Sequence, residues 1–269
     1  MLKMFGIAGL LLCLTSPTGQ AQDLEVGLAA ARAGDYETAL REWRPLADQG
    51  HADAQAFLGA MYINGDGVAR DPEEAARWYR LAADQGHARA QKYLGDLYAQ
   101  GVGVPQDFTE SVKWLRRSAD QGESAAQYTL GSMFQTGTGV AQDTVEAVRF
   151  FTLAGEQGNP SAQYNLGLMY VIGDLVAKDN EKALKWSRMA ATQGFAPAQH
   201  TLGVMYATGD PLPQSDISAQ MWYFLAGAEG YEPAIYERDV LAAKLPSASL
   251  AEAKRRAERC KASDYSDCE

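Results

Sequence analysis

The sequence predicts an all-α fold: a right-handed superhelical α-solenoid of five complete 36-residue helix-turn-helix repeats, with helical caps at both ends. Three observations predict it. Gly50, Gly86, Gly122, Gly158, Gly194 and Gly230 share one column at a spacing of 36 residues. Leu58-Gly59 recurs as Leu94-Gly95, Leu130-Gly131, Leu166-Gly167 and Leu202-Gly203. Ala54-Gln55 recurs as Ala90-Gln91, Ala126-Gln127, Ala162-Gln163 and Ala198-Gln199. A period of this size marks stacked helix pairs, each burying its apolar face against its neighbours.

Residues 1–21 read as a signal peptide. Lys3 gives a positive start, Met4 to Leu14 are apolar but too short to span a bilayer, and Gly19-Gln20-Ala21 offers a cleavage site after Ala21. Bulky Leu12 before Cys13 speaks against the lipid-anchored alternative. A periplasmic or secreted protein is expected. Residues 22–50 form the N-terminal cap: a short helix over Leu24 to Ala33, then a helix over Asp35 to Asp48 with Ala39, Trp43 and Ala47 in the repeat columns.

The repeats are 51–86, 87–122, 123–158, 159–194 and 195–230. In the first, Ala54, Leu58, Met61 and Tyr62 lie on one face of a helix, and Gly59 lets a partner helix approach. Asn64-Gly65-Asp66-Gly67 breaks that helix. Asp71-Pro72-Glu73-Glu74 then reads as N-cap, first-turn proline and capping-box glutamate. Asp107/Glu110 and Asp143/Glu146 repeat the pair, whereas Asp179 and Ser215 keep only the cap. The columns of Trp78 and Tyr62 place large rings against small alanines and glycines, which assigns them to the core. Residues 231–260 are expected to form the C-terminal cap: a sixth unit begins at Tyr231 but carries Arg238-Asp239 in place of Leu-Gly, and Ser247 caps a charged helix ending near Cys260. A loose tail is expected over 261–269.

Thirty-four acidic residues against 24 basic give a net charge of −10. That balance argues against nucleic acid or an anionic membrane surface as partner. No further apolar run reaches the ~18 residues of a membrane span. Cys260 and Cys268 follow the leader, and an oxidising compartment lets them pair. His51 and His87 share a repeat column, and no metal-ligand spacing, nucleophile elbow or phosphate loop accompanies them. No catalytic residue, metal or cofactor is assigned.

The pattern A-Q-x-x-L-G-x-M-Y-x-x-G-x-G-V, followed by D-x-x-x-A-x-x-W-Y-x-x-A-A-x-x-G, resembles the Sel-one-like repeat, a relative of the tetratricopeptide solenoids. The resemblance covers residues 35–245. Gly-x-Gly-Val fails in the fourth unit (Gly173-Asp174-Leu175-Val176) and the fifth (Gly209-Asp210-Pro211-Leu212). It implies an adaptor or scaffold without one shared reaction, and a concave surface lined by the first helix of each pair.

On those first helices the varying columns are those of Asp53, Ala56, Phe57, Ala60 and Asn64. Read by unit, the stripe holds Phe57; Lys92, Tyr93 and Asp96; Tyr128, Thr129 and Ser132; Tyr164, Asn165 and Leu168; and His200, Thr201 and Val204. Rings beside hydroxyl and amide groups suit a protein or peptide partner; padding between neighbouring helices is the competing reading. Leu175, Pro211, Leu212 and Pro213 form a second candidate, an apolar loop edge. The scaffold is expected to serve an envelope complex. Its competitor is a binder of cell-wall glycan, since tyrosine and tryptophan stack on sugars.

Overall fold

Fourteen α-helices and no strand occur among the described residues, 17–173 and 176–268, of this computed structural model. The leader through Ser16, with Cys13, lies outside them, as do Asp174, Leu175 and Glu269. The chain divides into two compact units at Gln106–Asp107. The first holds α1 (Pro17–Arg32), α2 (Tyr36–Asp48), α3 (Ala52–Asn64), α4 (Pro72–Asp84) and α5 (Ala88–Gln100). The second holds α6 (Phe108–Asp120), α7 (Ser124–Thr136), α8 (Thr144–Glu156), α9 (Pro160–Ile172), α10 (Asn180–Ala191), α11 (Ala196–Thr208), α12 (Asp216–Ala228), α13 (Glu232–Ala242) and α14 (Ser247–Ala262). In each unit successive helices pack on one another in chain order as far as α13.

Every second helix of a pair starts at a side-chain cap. Asp71 accepts the N–H groups of Glu73 and Glu74, and Asp107, Asp143, Asp179 and Ser215 cap α6, α8, α10 and α12 likewise. The reciprocal half of the expected capping box is absent at Asp71 and Asp143. The N–H of Asp71 donates to Tyr62 O and that of Asp143 to Phe134 O, both at 2.9 Å, so the donor that a glutamate would have accepted is already used. Glu74, Glu110 and Glu146 instead pair with Arg77, Lys113 and Arg149 three residues on. First helices end at glycines such as Gly65 (φ 83°), a left-handed angle that closes the helix by sending the Gly65 N–H to Met61 O.

The Leu-Gly column sets helix spacing within a pair. A Cβ on Gly59 would lie 2.7 Å from the Tyr79 ring, one on Gly131 2.6 Å from Phe151, and one on Gly203 2.5 Å from Tyr223. The buried Ala-Gln column joins pairs: Nε2 of Gln55 donates to Ala47 O, that of Gln127 to Ala119 O and that of Gln163 to Gly155 O. Around these contacts the apolar columns form the core, with Trp43, Leu58, Met61 and Trp78 in the first unit and Leu130, Phe150, Phe151, Leu166 and Trp186 in the second. All five tryptophans (Trp43, Trp78, Trp114, Trp186 and Trp222) are buried.

The ends differ from expectation in detail. Helix α1 begins at Pro17, seven residues before the expected start at Leu24. It docks through its later residues: Trp43 Nε1 donates to Leu24 O at 3.2 Å, and a Cβ on Gly27 would strike the same indole. At the other end α12 packs against both α13 and α14, so α14 covers the last pair, and α14 takes Ser247 as its first residue after Pro246, without the expected side-chain cap. The tail is folded back, not loose. Cys260 and Cys268 form a disulfide with Cα atoms 4.5 Å apart, Tyr265 N–H donates to Cys260 O at 2.8 Å, and Arg259 pairs with Asp267 at 3.1 Å.

Candidate functional site

The varying stripe of the first unit carries charge and one open ring. Phe57 is half-buried against Trp43, with ring centroids 4.6 Å apart. Tyr93 is 43% exposed and stacks on Tyr79 at 5.2 Å and 29°. Lys92 Nζ sits 4.8 Å above the Tyr93 ring and 2.6 Å from Asp96 Oδ2. Burial, with Tyr93 and Asp96 adding to it, pushes the Tyr79 phenol well above its ordinary value. These side chains surround a depression of about 280 Å³. On the same unit His87 is held at both nitrogens: Nδ1 accepts the Ala90 N–H at 3.1 Å, which leaves the proton on Nε2 to face Asp53 Oδ1, also at 3.1 Å.

The second unit is different in kind. Its first helices, SAAQYTLGSMFQT, PSAQYNLGLMYVI and APAQHTLGVMYAT, contain no Asp, Glu, Lys or Arg. Tyr128, Ser132, Tyr164, Asn165, Leu168 and His200 are all half-buried there. Tyr128 leans on Phe151 at 5.8 Å and Tyr164 on Phe195 at 5.6 Å. His200 lies between Tyr223 and Tyr231, at 5.7 and 5.5 Å. Tyr128 and Tyr164 therefore pad neighbouring helices, while the His200 ring is packed between two tyrosines with Nε2 buried and without a hydrogen-bond partner. Burial lowers the His200 imidazole below its ordinary value, partly opposed by Glu237, and pushes the Tyr223 phenol up to about 12. Val204 is exposed at 37%.

Two residues escaped the sequence reading. Ile172 is 67% exposed, one turn beyond Leu168 on the same face. Tyr236, also 67% exposed, stands 36 residues after His200 in the column of Tyr128 and Tyr164. Its column position was the available signal; the loss of Leu-Gly at Arg238-Asp239 hid it.

The second candidate, the loop edge, is corrected. Leu212 is buried at 8% and packs with Leu202, Met205 and Trp222, filling the place that Val140 fills in the third repeat. Pro211, which follows a cis peptide, is half-buried and Pro213 exposed, while Leu175 lies outside the described residues. No apolar edge is formed by Leu212. Among the described residues, no group of three or more His, Cys, Asp or Glu side chains is placed to hold a metal, and no helix is long and apolar enough to cross a membrane.

Helix pairs stacked in register, with a variable stripe on the first helix of each, define a class of repeat protein whose surface is its working part. The Sel1 repeat model matches residues 52–87, 88–123, 124–159, 160–195 and 196–231, and the chain belongs to that family. It is similar to a Sel1 repeat protein from Oxalobacter formigenes, 31% identical over 80% of this chain and 86% of that one, with a TM-score of 0.75. It is also similar to c5321, a protective antigen of uropathogenic Escherichia coli strains with an SLR fold, at 25% identity over 91% and 70% of the two chains and a TM-score of 0.40. The immunity protein Pa5087 from Pseudomonas aeruginosa is 24% identical over 80% of each chain, with a TM-score of 0.46. No curated protein matches significantly. Sel1 repeat proteins generally mediate protein–protein interaction and are generally non-enzymatic scaffolds.

Proposed function

We propose that this chain is an exported, non-catalytic scaffold that holds a protein segment on the first-helix stripe of its second unit and so serves assembly or restraint of an envelope component. One observation carries the reading. Charged residues make up 22% of the chain, yet α7, α9 and α11 carry none while exposing Ile172 and Val204 and holding Leu168, Tyr128 and Tyr164 half-buried beside them. Partner-facing surfaces lose charge at their centre and gain aromatic residues, whereas free helix faces keep charge for solvation. Export rests on the leader features before Ala21; the docking contacts of α1 at Leu24 and Gly27 all follow that position, so cleavage there keeps them. Glycan binding is disfavoured because every tryptophan is buried, which leaves only tyrosines for stacking on sugar.

The test uses exposed residues. In-cell cross-linking with the tagged full chain is expected to capture a discrete protein, and an Ile172→Glu, Val204→Glu variant with unchanged thermal unfolding is expected to lose it. Equal capture by the variant removes the stripe from consideration. Retention on cell-wall polysaccharide alone transfers the reading to glycan.

A further inference from the structure

The second repeat carries a carboxylate where its counterparts do not. Asp96 occupies the column of Ala60, Ser132, Leu168 and Val204, and its neighbour one turn back is Lys92. The Lys92 ammonium lies over the Tyr93 ring, 4.8 Å from its centroid, and against Asp96 Oδ2 at 2.6 Å. An aromatic face and a carboxylate thus already converge on one cation, supplied by the chain itself. The depression beside them holds about 280 Å³, floored by Ala60, Ile63 and Leu97 with Asn64 and Gln100 at its edge. That is room for a planar cationic head and the alkyl stem behind it.

We infer that Tyr93 and Asp96, with the buried Tyr79 ring behind Tyr93, form a receptor for an arginine side chain of a partner protein, and that Lys92 is its internal stand-in. The inference rests on the partner-binding reading above and adds the chemistry of one anchor. A guanidinium stacks on a ring and makes two parallel bonds to a carboxylate, where an ammonium makes one. The Lys92–Asp96 pair is half-buried, and a guanidinium that displaces Lys92 from it replaces one bond to the carboxylate with two. The stacking of Tyr93 on Tyr79 fixes the ring before the ligand arrives, so little side-chain freedom is lost on binding.

The experiment titrates the full chain with capped alanyl-arginyl-alanine amide and with its citrulline counterpart, which keeps the shape and lacks the charge. Tyrosine ring resonances are followed by NMR. The arginine peptide is expected to shift the Tyr79 and Tyr93 signals saturably and the citrulline peptide to bind at least about fivefold more weakly, as a charge-assisted contact requires. Lys92→Met is expected to tighten arginine binding roughly two- to threefold, because the single i,i+4 pair no longer competes for Asp96. Asp96→Asn is expected to abolish it with unchanged circular dichroism. Equal shifts from both peptides, no shift at these rings, or full binding by Asp96→Asn overturns the receptor. If cross-linked capture still depends on Ile172 and Val204 while the peptide fails, only the receptor falls. If the peptide binds and capture ignores the stripe, the receptor stands and the stripe reading falls.

Discussion

Gln157 Nε2 donates to Gln127 Oε1 at 2.7 Å, and this bond ties an exposed amide at the end of α8 to a buried one in α7. Gln127, 4% exposed, in turn donates to Ala119 O at the end of the preceding helix. The same relation recurs as Gln85 to Gln55 and as Gln193 to Gln163. It fails in the fifth repeat, where the donor column holds Glu229. A carboxylate cannot donate, and Gln199 Oε1 is left buried without a partner.

Glu229→Gln is therefore expected to stabilise the second unit. It supplies the missing donor, worth about 1 kcal/mol, and gives up only the Lys261–Glu229 pair, which is exposed and screened by solvent. Glu229→Ala, which loses the pair and gains no bond, is the control and is expected to be neutral or slightly destabilising. Urea midpoints for the three proteins decide it. Gln163→Leu runs the other way, with a loss of about 1–3 kcal/mol, because the Gly155 carbonyl and the Gln193 amide lose their bonds to it.

Gly131→Ala is expected to destabilise despite improving helix propensity. The added Cβ would lie 2.6 Å from a fully buried Phe151 ring, and overpacking costs about 1–3 kcal/mol against a propensity gain of about 1 kcal/mol. Phe151→Leu in the same chain relieves the clash. A double-mutant cycle that shows no favourable coupling between the two changes refutes this account of the Leu-Gly column.

The His200 imidazole, with Tyr223 and Tyr231 against it and Glu237 nearby, is depressed chiefly by burial. Its folded value lies below the unfolded one, so the unfolded chain binds the proton first. The contribution of neutral His200 is complete above the ordinary value of 6.5 and is lost as pH falls below it toward the folded value. Unfolding midpoints measured at pH 7.5 and 5.5 are expected to fall further for the wild type than for His200→Gln. Equal losses refute the assignment.

Reduction of Cys260–Cys268 is expected to cost the second unit about 2–3 kcal/mol in the chain-entropy view of so short a loop. Tyr265, whose ring lies 3.3 Å from where a Cβ on Gly194 would sit, should then become mobile. A Cys260→Ser, Cys268→Ser chain with unaltered midpoint and unaltered Tyr265 resonances would refute a holding role for the bridge.

The sequence made the repeat legible because its constraints are local and recur: an aspartate or serine cap, a glycine stop and a ring facing a glycine need only 36-residue spacing to be seen. The surface was less legible. Whether Tyr128 points outward or leans on Phe151 depends on a residue 23 positions away in another helix, and column variability cannot separate those outcomes. The missing capping-box bond was invisible for the same reason, since the competing acceptor, Tyr62 O, belongs to the preceding helix. The absence of charge from α7, α9 and α11 was plain in the sequence. Its meaning required knowing that Ile172 and Val204 stand exposed on those helices.

Leu212 tests the corrected loop most directly. As an exposed binding residue it would tolerate alanine with no loss of stability and with loss of partner. As the fifth repeat's replacement for the valine column, packed with Leu202, Met205 and Trp222, it should behave as core. Leu212→Ala is then expected to cost about 2–4 kcal/mol, while Leu212→Val, the residue of the other repeats, should cost roughly 1 kcal/mol because most of the buried volume returns. Pro213→Ala, on the exposed neighbour, should change stability by less than about 0.5 kcal/mol. Thermal unfolding of the three variants beside wild type gives the order, and a Leu212→Ala midpoint no lower than that of Pro213→Ala would return Leu212 to the surface.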